Sequence, residues 1–198
     1  MKSDVSVNRS GNRAVFMMTR CGVLAAMAII LFYIEIPVVA FYKLDLSSLP
    51  ALLAGFAMGP LPGFMIVVIK NLAHMLGSST AMVGEFADIL MSGTFVVVAS
   101  LMYRYNKNLK GAVLSMVIAT LAMMVAGVLV NYFILIPAYQ KLFHMDVAAI
   151  LGMVGIKGVD SLLKLVLMVT APFNLLKGGV ISVITFLLYK RISPLLHQ

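Results

Sequence analysis

The chain has 198 residues, 62% of them apolar and 11% charged, with a mean hydropathy of +1.06. A soluble domain is about 45–50% apolar and about 25% charged, so the composition excludes a separate soluble domain and indicates one integral membrane domain over residues 1–198. The net charge of +8 does not indicate nucleic acid, because nine of the fifteen Lys and Arg flank apolar runs, at Lys2, Arg9, Arg13 and Arg20, at Arg104, Lys107 and Lys110, and at Lys190 and Arg191. That distribution is the one expected of cytoplasmic loops in a membrane protein.

Apolar runs predict helices near residues 14–36, 49–59, 61–76, 83–103, 110–137 and 158–189, after a cytoplasmic tail over about 1–13. The first run follows a basic start and ends near Val38-Val39-Ala40, as a cleaved signal would. It is longer than a signal h-region and is followed by more membrane-like sequence, so it reads as a retained span. Cys21 within it is the only cysteine, which excludes a disulfide framework and reads as a small packing residue.

The second and third runs are short against the roughly 20 residues of a full crossing. Merging them would place the basic N-terminus and the basic 104–110 loop on opposite sides of the membrane. Splitting them at Gly59-Pro60-Leu61-Pro62-Gly63, where two prolines interrupt helical bonding, keeps both on the inside. The expected fold is therefore an all-α bundle of six transmembrane helices, the second and third short, with both termini cytoplasmic. Gly55, Gly59 and Gly63 recur every four residues and read as a close-packing stripe. Seven tyrosines fall mostly near span ends, as in an interfacial belt.

Polar groups at membrane depth are costly and mark ligand paths or forced pairings. Lys43 and Asp45 follow the first helix, and Lys70, Asn71 and His74 lie in the third. Lys70 and His74 share a face and cannot neutralise each other, so Lys70 needs a carboxylate or carbonyl partner. Glu85 and Asp88 open the fourth helix. The helix dipole accounts for Asp88, and Glu85 either shares that role or faces a pocket. Asn131 has two readings, a helix–helix hydrogen bond or a ligand contact through its donor and acceptor. Asp160 and Lys164 have the i, i+4 spacing of a salt bridge. In APFNLLKGG at 171–179, Pro172 frees the carbonyl of Met168, while Asn174 and Lys177 share a face, a polar wall far from either helix end. These groups cluster toward the outer side, as a dead-end pocket would. The histidines match no metal spacing, no P-loop occurs, and no catalytic constellation stands out, so an enzyme is not indicated.

The motifs KLDLSSLPALLAGFAMGPLPG at 43–63, IKNLAHMLGSS at 69–79, VGE at 83–85, VNYFILIPAY at 130–139 and APFNLLKGG at 171–179 resemble those of the substrate-binding S components of energy-coupling factor (ECF) vitamin transporters, and more narrowly the riboflavin-specific type. LDLSSLP and GPLPG are shared among several S components, whereas the KNLAH, NYFxLxPxY and PFNLLKG parts point to riboflavin. The resemblance implies a subunit of an ATP-driven importer in a prokaryotic cytoplasmic membrane, without its own ATPase, cofactor or metal, partnered by a membrane coupling subunit and two ATPases. It implies that Tyr42, Lys43, Leu44 and Asp45 form a loop closing over the vitamin, and that Asn131, Asn174 and Lys177 bind it. Glu85 and Phe173 complete the expected site, with Phe and Leu side chains enclosing the rings. Docking in the family uses an Ala-x-x-x-Ala pattern on the first helix; here it reads Cys21-x-x-x-Ala25 and Gly22-x-x-x-Ala26. Replacing Asn131 or Lys177 by alanine is expected to weaken flavin binding without unfolding the chain. An S component for another vitamin or precursor, or a stand-alone facilitator, are the alternatives.

Overall fold

The computed structural model describes residues 4–40, 42–78 and 80–196. The fold is mostly helical. It runs α1 (Asp4–Phe32), a two-stranded antiparallel hairpin of β1 (Ile36–Val39) and β2 (Tyr42–Leu44), then α2 (Ser48–Met58), α3 (Pro60–Met75), α4 (Val83–Tyr105) and α5 (Leu109–Val130). A π-helical turn (Asn131–Leu135) joins α5 to α6 (Ile136–Leu142). After α7 (Val147–Val154) and α8 (Leu162–Leu165), a second π turn (Val166–Thr170) leads into α9 (Ala171–Leu196).

Among the described residues, four helical stretches are long and apolar enough to cross a membrane: Val15–Phe32, Val83–Tyr105, Leu109–Leu142 and Leu162–Leu188. Two shorter apolar helices, Ser48–Met58 and Pro60–Met75, lie among them. On α5 the exposed row Leu114, Val117, Leu121 and Val125 forms a continuous apolar stripe, a surface that lipid accommodates and water does not.

Local chemistry explains the boundaries. The break between α2 and α3 falls on Gly59 alone, whose φ of 104° only glycine adopts freely. Pro60 and Pro62 lie in the first turn of α3 rather than in the break, where their missing N–H groups cost nothing. Both π turns end two residues before a proline, Pro137 and Pro172. A proline ring clashes with the carbonyl four residues back, and widening the preceding turn relieves it. Asn108 caps α5 by accepting from Gly111 N at 2.7 Å, and Asp146 caps α7 by accepting from Ala149 N at 2.7 Å.

Several expectations change. The first helix stops at Phe32, and Ile36–Val39 and Tyr42–Leu44 pair as the hairpin instead of continuing the run. The segment expected as a loop after 137 contains the end of α6 and all of α7, and the last helical stretch starts at Leu162, with Ser161 as its cap. Tyr42, Tyr103 and Tyr139 are buried, so they belong to the interior and not to an interfacial belt; the Tyr189 side chain lies outside the described residues. Two of the three glycines in the expected stripe pack closely: a Cβ on Gly55 would overlap Ser100, and one on Gly63 would lie 2.7 Å from Val96, whereas Gly59 has open space around it and serves the turn instead.

The interior has two apolar clusters. One, including Leu52, Ile66, Phe95 and Tyr103, holds α1–α5 together; the other, including Tyr42, Leu135, Tyr139, Ile150 and Leu165, gathers the hairpin, α6, α7 and the start of the last helical stretch. Met91 packs against both. Asp45, Ser47, Lys70, Asn71, Glu85, Asp88, Asn131, Asn174 and Lys177 are buried at the end of the bundle where the hairpin sits, whereas the buried Ser100, Ser115 and Thr185 donate to carbonyls of their own helices.

Candidate functional site

The hairpin is fixed from below. Tyr42 donates its hydroxyl to Asn131 Oδ1 at 3.1 Å and lies 2.5 Å from Thr170 Oγ1. Burial pushes the Tyr42 phenol up from its ordinary pKa, so it stays a donor. Its partners begin one π turn and end the other, so both helix irregularities serve to present groups to the same strand. Asn131 and Asn174 each donate to the carbonyl four residues back, Gly127 at 2.8 Å and Thr170 at 2.9 Å, which fixes the amide orientation. Asn174 packs so tightly on α5 that a Cβ on Gly127 would lie 2.4 Å from its Nδ2.

Below the hairpin runs a closed ring of hydrogen bonds and ion pairs. Lys177 Nζ reaches Asp45 Oδ2 at 2.8 Å and Asp88 Oδ1 at 3.0 Å. The other Asp88 oxygen takes Lys70 Nζ at 2.9 Å and Asn71 Nδ2 at 3.0 Å. Lys70 donates to Ser47 Oγ at 2.5 Å, and the Ser47 hydroxyl donates to Asp45 Oδ1, which closes the ring. All five residues, Asp45, Ser47, Lys70, Asp88 and Lys177, are buried. Two lysines face two aspartates, so the cluster is neutral overall. A buried charge without this compensation would cost several kcal/mol, on the order of 3–5.

A second group lies nearer the surface. His74 Nδ1 is 2.9 Å from Glu85 Oε1, and His74 Nε2 is 3.6 Å from Glu35 Oε1. Lys43 pairs with the other Glu35 oxygen at 2.5 Å. Ser78 and Thr80 donate to Glu85 Oε2 at 2.9 and 3.0 Å. The His74 ring stacks on Phe32, with centroids 4.1 Å apart and planes 17° apart.

These walls line an open cavity of about 110 Å³. Of the residues expected from the sequence, Tyr42, Lys43, Asp45, Glu85, Asn131, Phe173, Asn174 and Lys177 line it together. Leu44 does not; it pairs with Ile36 across the hairpin. Phe32, His74, Asp88, Leu135 and Tyr139 also line it, and the sequence reading had not placed them there. Asp88 is the largest correction: it holds both buried lysines instead of serving only a helix dipole. The carboxylate that Lys70 required is this one. The Asn174 Oδ1 atom is buried and has no hydrogen-bond partner among the described residues, which leaves an acceptor in a cavity-lining side chain. No group of three or more His, Cys, Asp or Glu that could hold a metal occurs among the described residues.

The four small residues on the first helix separate. Ala25 is buried in this chain's own core, and Cys21 Sγ lies 3.8 Å from Met58 Sδ. Gly22 and Ala26 are exposed, and nothing lies within 4 Å of a Cβ built on Gly22. Asp160 and Lys164 form the expected i, i+4 pair at 2.6 Å, on the surface and away from the cavity.

Fold and site together define a multi-pass membrane protein that holds a small molecule in a charge-balanced cavity at one end of its bundle. The chain belongs to the ECF transporter substrate-specific components, whose family pattern matches residues 16–189. It is similar to the riboflavin transporter RibU of Staphylococcus aureus (strain TCH60), 33% identical over 179 residues that cover 88% of this chain and 89% of that one. It is also similar to the riboflavin transporter FmnP of Bacillus subtilis (strain 168), 28% identical over 182 residues, covering 88% and 90%. A solved structure described as "Structure and mechanism of the S component of a bacterial ECF transporter" superposes with a TM-score of 0.72 at 30% identity, covering 93% of this chain and 99% of that one.

Proposed function

We propose that this chain captures riboflavin at the outer face of a prokaryotic cytoplasmic membrane and delivers it inward with an ECF coupling subunit and two ATPases. The named relatives are riboflavin transporters, and the chemistry of the cavity agrees with such a ligand. The observation that carries the reading is charge balance. The buried lysines are matched by the buried aspartates, and the Glu35 and Glu85 carboxylates are engaged by Lys43 and His74. Each of these lysines is matched by a carboxylate, so an anionic ligand finds no unmatched cation, whereas a neutral one with a polar edge finds acceptors and donors. The free Asn174 acceptor suits a ring N–H, Asn131 and Lys177 complement ring oxygens and nitrogens, and Asp45 and Glu85 accept from ribityl hydroxyls. Tyr42 and Phe173, with ring centroids 5.1 Å apart, supply flat apolar walls.

The topology of this proposal is six spans with both termini cytoplasmic, the two short helices α2 and α3 forming the inner part of the bundle. The hairpin then covers the vitamin from outside, and Gly22 and Ala26 supply the docking face for the coupling subunit.

The test is a flavin titration of detergent-solubilised chain. Tight quenching of riboflavin fluorescence, and a yellow protein after purification from flavin-containing medium, are expected. A colourless protein with no flavin affinity rejects riboflavin, and a competition panel of other vitamins then identifies the ligand.

A further inference from the structure

A second cavity adjoins the first. It is open, has a volume of about 240 Å³ and is lined by Lys43, Thr80, Tyr139, Phe143, Met145, Ile150 and Met153. Lys43, Thr80 and Tyr139 line both cavities and so form the partition between them. The Tyr139 hydroxyl hydrogen-bonds Thr80, and Phe143 meets the Tyr139 ring edge-on at 5.4 Å. The outer walls are aromatic and thioether side chains, a surface suited to a planar ring and poor in groups that would hold one tightly.

We propose that this outer chamber is the access vestibule of the substrate, a transient binding station for its planar ring on the way between Lys43, Thr80 and Tyr139 into the inner cavity. The inference rests on the reading that the ligand is a flavin. The alternative way in is for the hairpin to lift. That movement breaks the buried Asp45–Lys177 pair, both Tyr42 hydroxyl bonds and the Lys43–Glu35 pair. Separating a buried ion pair is strongly unfavourable. Passage through the vestibule asks for rotation of the Lys43 and Tyr139 side chains, which parts the half-exposed Lys43–Glu35 pair and the Tyr139–Thr80 hydrogen bond, and leaves the buried Asp45–Lys177 pair and the Tyr42 hydroxyl bonds in place. The void on the far side is already there, and α7, which supplies Ile150 and Met153, is short and joined to the bundle through the flanking 143–146 and 155–161 connections.

A side chain on the path, away from the final site, alters the rates of arrival and departure by the same factor and leaves their ratio alone. Most interface substitutions instead change the off-rate and with it the affinity. Met153 is half-exposed and lines only the outer chamber. In stopped-flow quenching of riboflavin fluorescence on the solubilised full chain, Met153→Trp, which fills the chamber, is expected to slow both kon and koff by about tenfold, equivalent to about 1.4 kcal/mol on one shared barrier. Kd is expected to stay within about twofold of the parent on the same argument. Phe143→Ala, which widens the chamber, is expected to speed both rates together, and it decides the matter if Met153→Trp does not fold.

Unchanged kon in both variants overturns the vestibule in favour of a route beneath the hairpin. A change in Kd with kon unchanged also overturns it, because the chamber would then belong to the resting site. Absence of flavin binding by the unsubstituted chain is a different failure: it removes the functional reading beneath the proposal.

Discussion

Asp88 is the residue on which the site's electrostatics turn, since both buried lysines depend on it. Asp88→Asn leaves two ammonium groups facing Asp45 alone. The expected loss of stability is about 3–5 kcal/mol, read as a fall in thermal midpoint of the solubilised chain. Lys70→Met with Asp88→Asn removes one charge of each sign and is expected to recover most of that loss; a double variant no better than the single would show that Asp88 acts by shape and not by charge. The same bookkeeping corrects the expectation for Lys177. Its removal leaves Asp45 and Asp88 short of a cation, so Lys177→Ala should lower stability as well as flavin affinity. Asn131→Ala is expected to loosen the hairpin too, since Asn131 accepts from Tyr42. Asn174 gives a cleaner reading of the ligand contact. Its replacement by Ala should cost about 1–3 kcal/mol of flavin binding through the lost acceptor, measured by fluorescence titration.

Among the elements, the hairpin has the most specific task. Four residues before a helix can close a site only if something holds them down, and Tyr42 and Asp45 do so by bonding to both π turns and α9. Tyr42→Phe keeps the ring against Phe173 and deletes the hydroxyl. The expected cost in flavin affinity is about 1 kcal/mol, with koff rising and the fold unchanged by circular dichroism. The α2–α3 junction makes a second prediction. Gly59 has a φ of 104° and open space around it, so Gly59→Ala meets backbone strain and no clash. A drop in stability of about 1 kcal/mol or more is expected, and thermal unfolding checks it. An unchanged midpoint would show that the junction relaxes freely.

At the scale of the whole molecule, the chain offers a cavity at one end of the bundle and no nucleotide-binding P-loop in its sequence. Binding and transport should therefore separate. Reconstituted alone, the chain is expected to bind riboflavin and to accumulate none in proteoliposomes; uptake should appear only with the coupling subunit, its ATPases and ATP. ATP-independent uptake by the chain alone would favour a facilitator. Docking should depend on Gly22 and Ala26, which are exposed on α1, and not on Ala25, which is committed to this chain's own core. Gly22→Leu is expected to abolish assembly with the coupling subunit while leaving flavin affinity within about twofold, because the cavity lies at the far end of α1 and distant substitutions act independently.

The sequence by itself determined the class. Its apolar content and basic flanks require a membrane protein, a break within Gly59–Gly63 divides two short helices, and the depth of Asn131, Asn174 and Lys177 marks one polar site. All of these follow from local composition and from the cost of polar groups in lipid, which a linear reading detects. Only the tertiary structure decided how the charges are paired. Asp45, Lys70, Asp88 and Lys177 come from four separate parts of the chain, and nothing in their spacing shows that they close one neutral ring. Tyr139 was invisible as a site residue for the same reason, and Tyr42 entered the expected site only through the family resemblance: a tyrosine at a helix end looks interfacial until the packing turns it inward. Pairing in a bundle is set by which helix faces meet, and that depends on side-chain packing over the whole molecule.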